Sequence, residues 1–157
     1  MERIYPPITD MRYNGIIALL TFLLSGLFFP GCELLQRNDY CSNFDIEELK
    51  LNEILEMRYS ELYCNAEYEI RLSFDSLQDS RCPIGAACVW EGNGRVQLIL
   101  KQGARNATRF WLNTNVNFLT DTVVNGLRFT LVDMLPYPQV DKDYQLDDYI
   151  LQMNISD

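Results

Sequence analysis

An apolar period of two restricts this chain more than any other feature. Tyr68, Ile70, Leu72 and Phe74 alternate with Glu69, Arg71 and Ser73. Successive side chains of an extended strand point to opposite faces, so this spacing gives one face to a core and the other to water. The pattern returns in Val96, Leu98 and Leu100, around Phe110 and Trp111 in 107–112, and in Tyr149, Leu151, Met153 and Ile155. Segments 119–124 and 127–135 flank Asn125-Gly126, a dipeptide that accepts the positive φ angles of a two-residue hairpin turn. Turn residues separate the bursts: Gly92-Asn93-Gly94, Gly103, 113–117, and Pro136-Tyr137-Pro138. Short alternating strands at this spacing predict an all-β fold, an antiparallel β-sandwich of Ig-like or Greek-key type.

Segment 45–58 supports two readings. Asp45 and Glu48 stand as a helix N-cap and its partner three residues on, and Leu, Glu, Lys and Met are good helix formers. The same residues also alternate acceptably. The favoured reading is a short helical or turn start at 45–48, then strands near 49–59 and 62–74.

The amino-terminal end has a different character. Arg12 precedes a run of 14 positions, 16–29, that is apolar except for Thr21, Ser25 and Gly26, and Pro30-Gly31-Cys32 ends it. A membrane-spanning helix needs roughly 20 such residues, whereas a signal peptide needs about 7–15. Residues 1–31 are therefore expected to be a secretion signal. Glu2, Pro6, Pro7 and Asp10 fit a signal poorly, so translation is expected to start at Met11, with 1–10 untranslated. Leu27-Phe28-Phe29-Pro30-Gly31-Cys32 resembles a bacterial lipobox, in which the cysteine after a small residue is diacylated and becomes the first residue. Phe29 and Pro30 depart from that pattern; Gly31 and Cys32 match it. The resemblance implies lipidation at Cys32 and a membrane attachment through acyl chains. Glu33, rather than Asp, follows the cysteine, which by the same resemblance implies the outer membrane. The expected organisation is a signal over 1–31, a polar lipid-anchored tether over 32–44, and one β domain over 45–157.

Removing 1–31 takes away two acidic and two basic residues and leaves the net charge at −9. An acidic chain lacks the basic footprint that nucleic acid requires. Anionic headgroups would repel it, so attachment must come from the acyl chains. Cys41, Cys64, Cys82 and Cys88 remain, an even number that implies disulfides in an exported domain. Three pairings are possible. Pro83-Ile84-Gly85-Ala86-Ala87 turns the chain between Cys82 and Cys88 and favours that bond, with Cys41 then joined to Cys64. Zinc needs closely spaced ligand pairs, which separations of 23, 18 and 6 do not supply.

The densest local signature runs from Asp79-Ser80-Arg81-Cys82-Pro83 through Cys88-Val89-Trp90-Glu91-Gly92-Asn93-Gly94. It resembles a segment of uncharacterised exported Bacteroidota lipoproteins, which share the DSRCP start, a second cysteine, a V/I-W pair, a glycine and a following strand. The likeness covers roughly 49–155. This chain has Trp90-Glu91-Gly92-Asn93-Gly94 where that family commonly has W-A-G-E-A. The family implies location and fold and carries no activity. Physically the segment reads as a stapled loop with turn chemistry at Asp79, Ser80, Pro83 and Gly85, and with Trp90 packed across it. Its role is either a rigid connection between sheets or a binding rim of Asp79, Arg81, Trp90 and Glu91.

There is no histidine in the chain, which removes Ser-His-Asp and Cys-His catalysis and histidine-ligated metals. No glycine-rich phosphate loop or G-x-S-x-G occurs. Asp141, Asp143, Asp147 and Asp148 form an acidic cluster with calcium as its only metal candidate, but the EF-hand glycine and glutamate are missing. Asp75-Ser76-Leu77 and Asp121-Thr122-Val123 resemble the D-S/T-aliphatic sequon of Bacteroidota O-glycosylation, making Ser76 and Thr122 candidates. The expectation is a non-enzymatic, lipid-anchored envelope module without a cofactor, binding a protein or glycan through loops at one end of the sandwich. A purely structural envelope lipoprotein is the alternative. A small hydrolase using a carboxylate pair is the other, because such pairs are set by space and not by sequence.

Overall fold

Residues 40–42 and 46–157 are described by a computed structural model. The signal segment, Cys32 and most of the tether lie outside them. Among the described residues the alternating segments form nine strands: β1 (Ile46–Glu48), β2 (Ile54–Arg58), β3 (Leu62–Asn65), β4 (Ile70–Asp79), β5 (Gly94–Gln102), β6 (Thr108–Asn113), β7 (Asp121–Val124), β8 (Leu127–Leu135) and β9 (Ile150–Ser156). They make two sheets, one in the order β1-β3-β4-β5-β6 and the other β2-β9-β8-β7. The fold is an all-β sandwich, as the alternation predicts.

The inward residues of both sheets build one core. Ile70, Leu72, Leu98, Leu100 and Leu112 of the first sheet face Met57, Phe129, Met134, Leu151, Met153 and Ile155 of the second, all fully buried or nearly so. Phe110 meets Phe129 across the gap at 5.2 Å between ring centres. Each fully buried large side chain contributes about 1.5–3 kcal/mol by leaving water, which is why the period-two residues decide which face of each sheet turns inward.

Three expectations change. Segment 46–48 is a strand and not a helical start: β1 lies parallel to β3, with Ile46, Glu47 and Glu48 opposite Leu62, Tyr63 and Cys64. This pair makes the first sheet mixed and not purely antiparallel. The cause is topological, since β2 crosses to the other sheet between them and the chain returns in the direction it left. Residues 49–53 form a turn, not a strand. Leu49 is fully buried there, and Asn52 takes a φ of 63°. The single strand expected over 62–74 is broken by a turn over 66–69, which takes Tyr68 and Glu69 out of the alternation. Its second part continues past Phe74 to Asp79, because a bulge between Phe74 and Ser76 absorbs one residue and resets the alternation. A second bulge between Leu131 and Asp133 keeps both Val132 and Asp133 off the core and returns Met134 to it.

The Asn125-Gly126 hairpin is as predicted, with φ angles of 54° and 88°. Both disulfides join the expected partners, Cys41 with Cys64 and Cys82 with Cys88. The first belongs to a wider attachment. The Tyr40 ring lies under the Arg71 guanidinium at 4.3 Å, Arg71 Nη2 donates to the Tyr40 carbonyl, and Tyr40 Oη reaches the Lys101 carbonyl. Residues 40 and 41 are thus fastened to the first sheet, although the sequence reading assigns them to the tether.

The connections divide between the two ends of the sandwich. One end carries the short turns after β3, β5 and β7. The other carries the β4–β5 loop (80–93), the β6–β7 loop (114–120) and the β8–β9 loop (136–149). Tyr40 and Cys41 join the sheet near the short-turn end. Strand β4 has ten residues and separates the two ends by about 30 Å at ~3.3 Å per residue.

Candidate functional site

The three long loops meet over a clamp built by Asp79 and Arg81. Asp79 is the last residue of β4, opposite Gly94. Arg81 folds back on it: Nε donates to Asp79 Oδ1 at 2.9 Å and Nη2 to Oδ2 at 2.7 Å. The same guanidinium crosses to the second sheet. Nη1 donates to the Met134 carbonyl at 2.6 Å and Nη2 to the Pro136 carbonyl at 2.9 Å, and the ring of Tyr137 covers its face at 4.6 Å. Asp79 also accepts from the Arg81 backbone at 3.0 Å and from Tyr149 Oη at 3.2 Å. Burial first, and then the neighbouring Asp79 charge and hydrogen bond, push the Tyr149 hydroxyl up to about 12. The side chains of the pair are only 5% and 4% exposed. Asp79 and Arg81 therefore fasten two loops together, as the rigid-connection reading of this segment has it, and of the two readings the rim loses these two residues.

Above the clamp the β4–β5 loop runs as an extension of its two strands. Ser80 N and Oγ both donate to the Asn93 carbonyl, and Cys82 N donates to the Glu91 carbonyl at 2.8 Å. This close approach requires Gly92, whose φ is 78° and where a Cβ would lie 2.0 Å from the Ser80 carbonyl oxygen. The Cys82–Cys88 bond closes the tip. Ile84 pairs with the β8–β9 loop through Ile84 N to the Pro138 carbonyl and Val140 N to the Ile84 carbonyl.

Asn115 secures the third loop and has no counterpart in the sequence reading, where 113–117 is a turn and nothing more. It is 6% exposed. Its Nδ2 donates to Glu91 Oε1 at 3.0 Å and to the Gly92 carbonyl at 2.9 Å, while its Oδ1 accepts from Asn117. Glu91 thus has one carboxylate oxygen committed to the loop. Asn93 and Asn113 add a side-chain bond at 2.9 Å. An asparagine in a run of asparagines carries no sign of burial, which depends on which loop packs over it.

Trp90 does not pack across the disulfide loop. The Arg81 clamp fills the space beneath the loop, and Trp90 stands 57% exposed. It faces Phe118 of the β6–β7 loop, 51% exposed, across a cleft of about 330 Å³ that Gln78, Ser80, Asn93, Arg95 and Asn113 also line. A smaller cleft of about 260 Å³ lies on the other side of Asn115, between Glu91, Val116, Val132 and Tyr137. A shallow groove beside Leu135, Pro136 and Tyr144 borders Asp143 and Asp148. Trp111 lies outside these sites, on the outer face of the first sheet beneath Arg95, 4.5 Å from its guanidinium.

The four acidic residues after Pro138 do not form one site. Asp141 and Asp143 are exposed on the β8–β9 loop, and Asp147 and Asp148 lie in a 3-10 turn where Asp148 accepts from Gln145 N at 2.8 Å. Among the described residues no three Cys, Asp or Glu side chains converge as metal ligands. Ser76 sits at the β4 bulge and Thr122 on the edge strand β7, each half-buried.

Comparison with protein-family models, curated proteins and solved structures finds no match to this chain.

Proposed function

We propose that this protein is a non-catalytic binding module of the cell envelope, held to the outer membrane by acyl chains on Cys32, that engages its partner through the long-loop end of the sandwich. The observation that carries the reading is the placement of exposed apolar side chains. Ile84, Val89, Trp90, Val116, Phe118 and Leu119 are each more than half exposed, and all stand on the β4–β5 and β6–β7 loops. Scattered surface apolar residues are ordinary, but a group on one end marks a contact surface. Loops held rigidly by a scaffold are where binding residues concentrate, and the buried Asp79–Arg81 pair, Asn115 and the Cys82–Cys88 bond hold these loops.

The geometry of attachment supports the same reading. Tyr40 and Cys41 join the domain near the short-turn end, so the described part of the chain leads in without covering the long loops. The groups at the site are suited to stacking and hydrogen bonding. Asp79 is neutralised by Arg81, one oxygen of Glu91 is held by Asn115, and Asp133, which lines the smaller cleft with Glu91, accepts from Met134 N.

The test is photo-crosslinking in whole envelopes, with a photoreactive residue at position 89, 116 or 118 and, as control, at position 104 on the opposite end. Discrete adducts from the first three positions alone are the expected result. Equal labelling from both ends, or none from the long-loop end, would overturn the proposal in favour of a purely structural envelope protein. Metabolic labelling with an alkyne fatty acid tests the anchor: label lost in Cys32→Ala is expected.

A further inference from the structure

Resting on the binding-module reading, we infer that the cleft between Trp90 and Phe118 is a carbohydrate site, and that it selects sugars bearing a carboxylate. Its volume of about 330 Å³ lies at the lower end of the ~300–1,000 Å³ of small-molecule sites, enough for a short oligosaccharide. Its walls and floor differ in chemistry. The walls are two exposed aromatic rings, which offer flat apolar faces to the C–H face of a pyranose. The floor consists of amides and a hydroxyl: Gln78, Asn93, Asn113 and Ser80. Planar amides beside an aromatic face suit a polyol, whose hydroxyls lie around the rim of a ring with apolar faces. Asn93 and Asn113 bond each other and Ser80 Oγ bonds the Asn93 carbonyl. An apolar occupant would therefore leave unpartnered the open donors of the cleft, Gln78 Nε2 and the Arg95 terminal nitrogens, at the usual cost of burying unsatisfied polar groups.

The selection for acid comes from Arg95. Its guanidinium is fixed twice: the Trp111 ring lies 4.5 Å beneath it, and Nε donates to Gln78 Oε1 at 2.9 Å. Among the described residues neither of its terminal nitrogens has a hydrogen-bond partner, and the same holds for Gln78 Nε2. A guanidinium held by its face and its Nε presents two parallel N–H donors, the fork that matches a carboxylate. The other charged side chain lining the cleft, Asp79, is saturated by Arg81. The cleft therefore keeps its open donors at Arg95 and Gln78 and is locally positive on a protein of net charge −9. Charge of that sign in a fixed geometry belongs to a specific contact and not to a general attraction for anions.

The experiment uses the full-length protein, purified in detergent and titrated calorimetrically. The probes are short oligogalacturonates, sialyllactose, the neutral sugars obtained by reducing their carboxyl groups, and a poly-glutamate peptide. Binding of at least one acidic sugar is expected, with affinity reduced about tenfold or more on carboxyl reduction. Trp90→Ala should lose a similar factor for acidic and neutral sugars alike, with partial recovery in Trp90→Phe. Arg95→Gln should lose affinity for the acidic sugar only, and Arg95→Lys should recover little of it because one ammonium cannot form the fork. Unchanged circular dichroism spectra establish that the variants are folded. Indifference of sugar binding to Trp90→Ala and Arg95→Gln would overturn the inference, as would binding of poly-glutamate in place of every sugar. If no sugar binds while crosslinking at positions 89, 116 and 118 still yields adducts, the carbohydrate site is wrong and the binding module stands. If both fail, so do both readings.

Discussion

In Arg81→Met the aliphatic part of the side chain stays and the guanidinium goes. Four hydrogen bonds vanish with it, two to Asp79 and one each to the carbonyls of Met134 and Pro136. The pair is only 5% and 4% exposed, so the small values of surface ion pairs do not apply here. Removing one partner of a buried pair costs about 3–5 kcal/mol, because the other charge is stranded. A buried carbonyl left without a donor adds to this at about 1–3 kcal/mol. Asp79 keeps the Arg81 backbone N–H and the Tyr149 hydroxyl, which offsets part of the loss. The balance is about 4 kcal/mol out of a typical ~5–15 kcal/mol for a domain. Equilibrium urea unfolding, followed by circular dichroism with the disulfides intact, reads this directly: at a slope of ~2 kcal/mol per molar the midpoint falls by about 2 M. The double variant Asp79→Asn/Arg81→Met removes the stranded charge and should regain about 1–3 kcal/mol. A loss under ~1 kcal/mol in the single variant, or a double variant no more stable than the single, would refute the reasoning that this pair is a buried clamp.

The two disulfides should differ in value. Serine replacement of Cys41 and Cys64, 23 residues apart, should cost about 3.4 kcal/mol, against about 2.2 kcal/mol for Cys82 and Cys88, 6 apart; thermal melting that ranks them the other way would contradict the chain-entropy argument. Gly92→Ala puts a Cβ 2.0 Å from a backbone oxygen at positive φ and should lose about 3 kcal/mol or more, whereas Gly126→Ala, with nothing within 4 Å, should lose only about 1–2 kcal/mol. Parallel denaturation curves separate the two. Alkaline pH should weaken the domain through Tyr149, whose folded hydroxyl is pushed up to about 12 from 10.0. The folded state then holds a proton that the unfolded state releases, so this contribution is intact below pH 10 and fades as pH rises from 10 toward 12. Tyr149→Phe should flatten that part of the stability profile, and an unchanged slope there would count against it.

Much of the fold was legible in the sequence because a strand's side-chain period is a local property. Leu98, Leu100, Leu151 and Met153 are buried as their alternation requires, and Asn125-Gly126 forms its hairpin because two residues suffice to specify the turn. The failures have particular causes. A bulge costs one residue and leaves no mark in composition, so β4 was read as ending at Phe74 when it continues to Asp79. The cap-like residues Asp45 and Glu48 suggest a helix start, but residues 46–48 pair in parallel with β3, and pairing decides their conformation. The site was less legible still. Asp79, Arg81, Trp90 and Glu91 are adjacent in sequence and look like one rim, yet Asp79 and Arg81 turn inward, Glu91 holds Asn115, and Trp90 alone of the four stands more than half exposed as an apolar contact.

By itself the sequence determined the class of fold, the inward face of most strands and the hairpin at Asn125-Gly126, and it favoured the disulfide pairing that the structure holds. Each of these follows from short-range geometry or from the few cysteines present. Only the tertiary structure decided that Arg81 reaches the carbonyls of Met134 and Pro136, that Asn115 is buried, and that Phe118 faces Trp90 across a cleft floored by amides. The hydrogen bonds among those contacts join residues 23 to 55 apart in the chain, and such residues meet only because two sheets stack on a shared core. The residues that build the site carry no period of their own, so their partners are set by packing and cannot be read in advance of it.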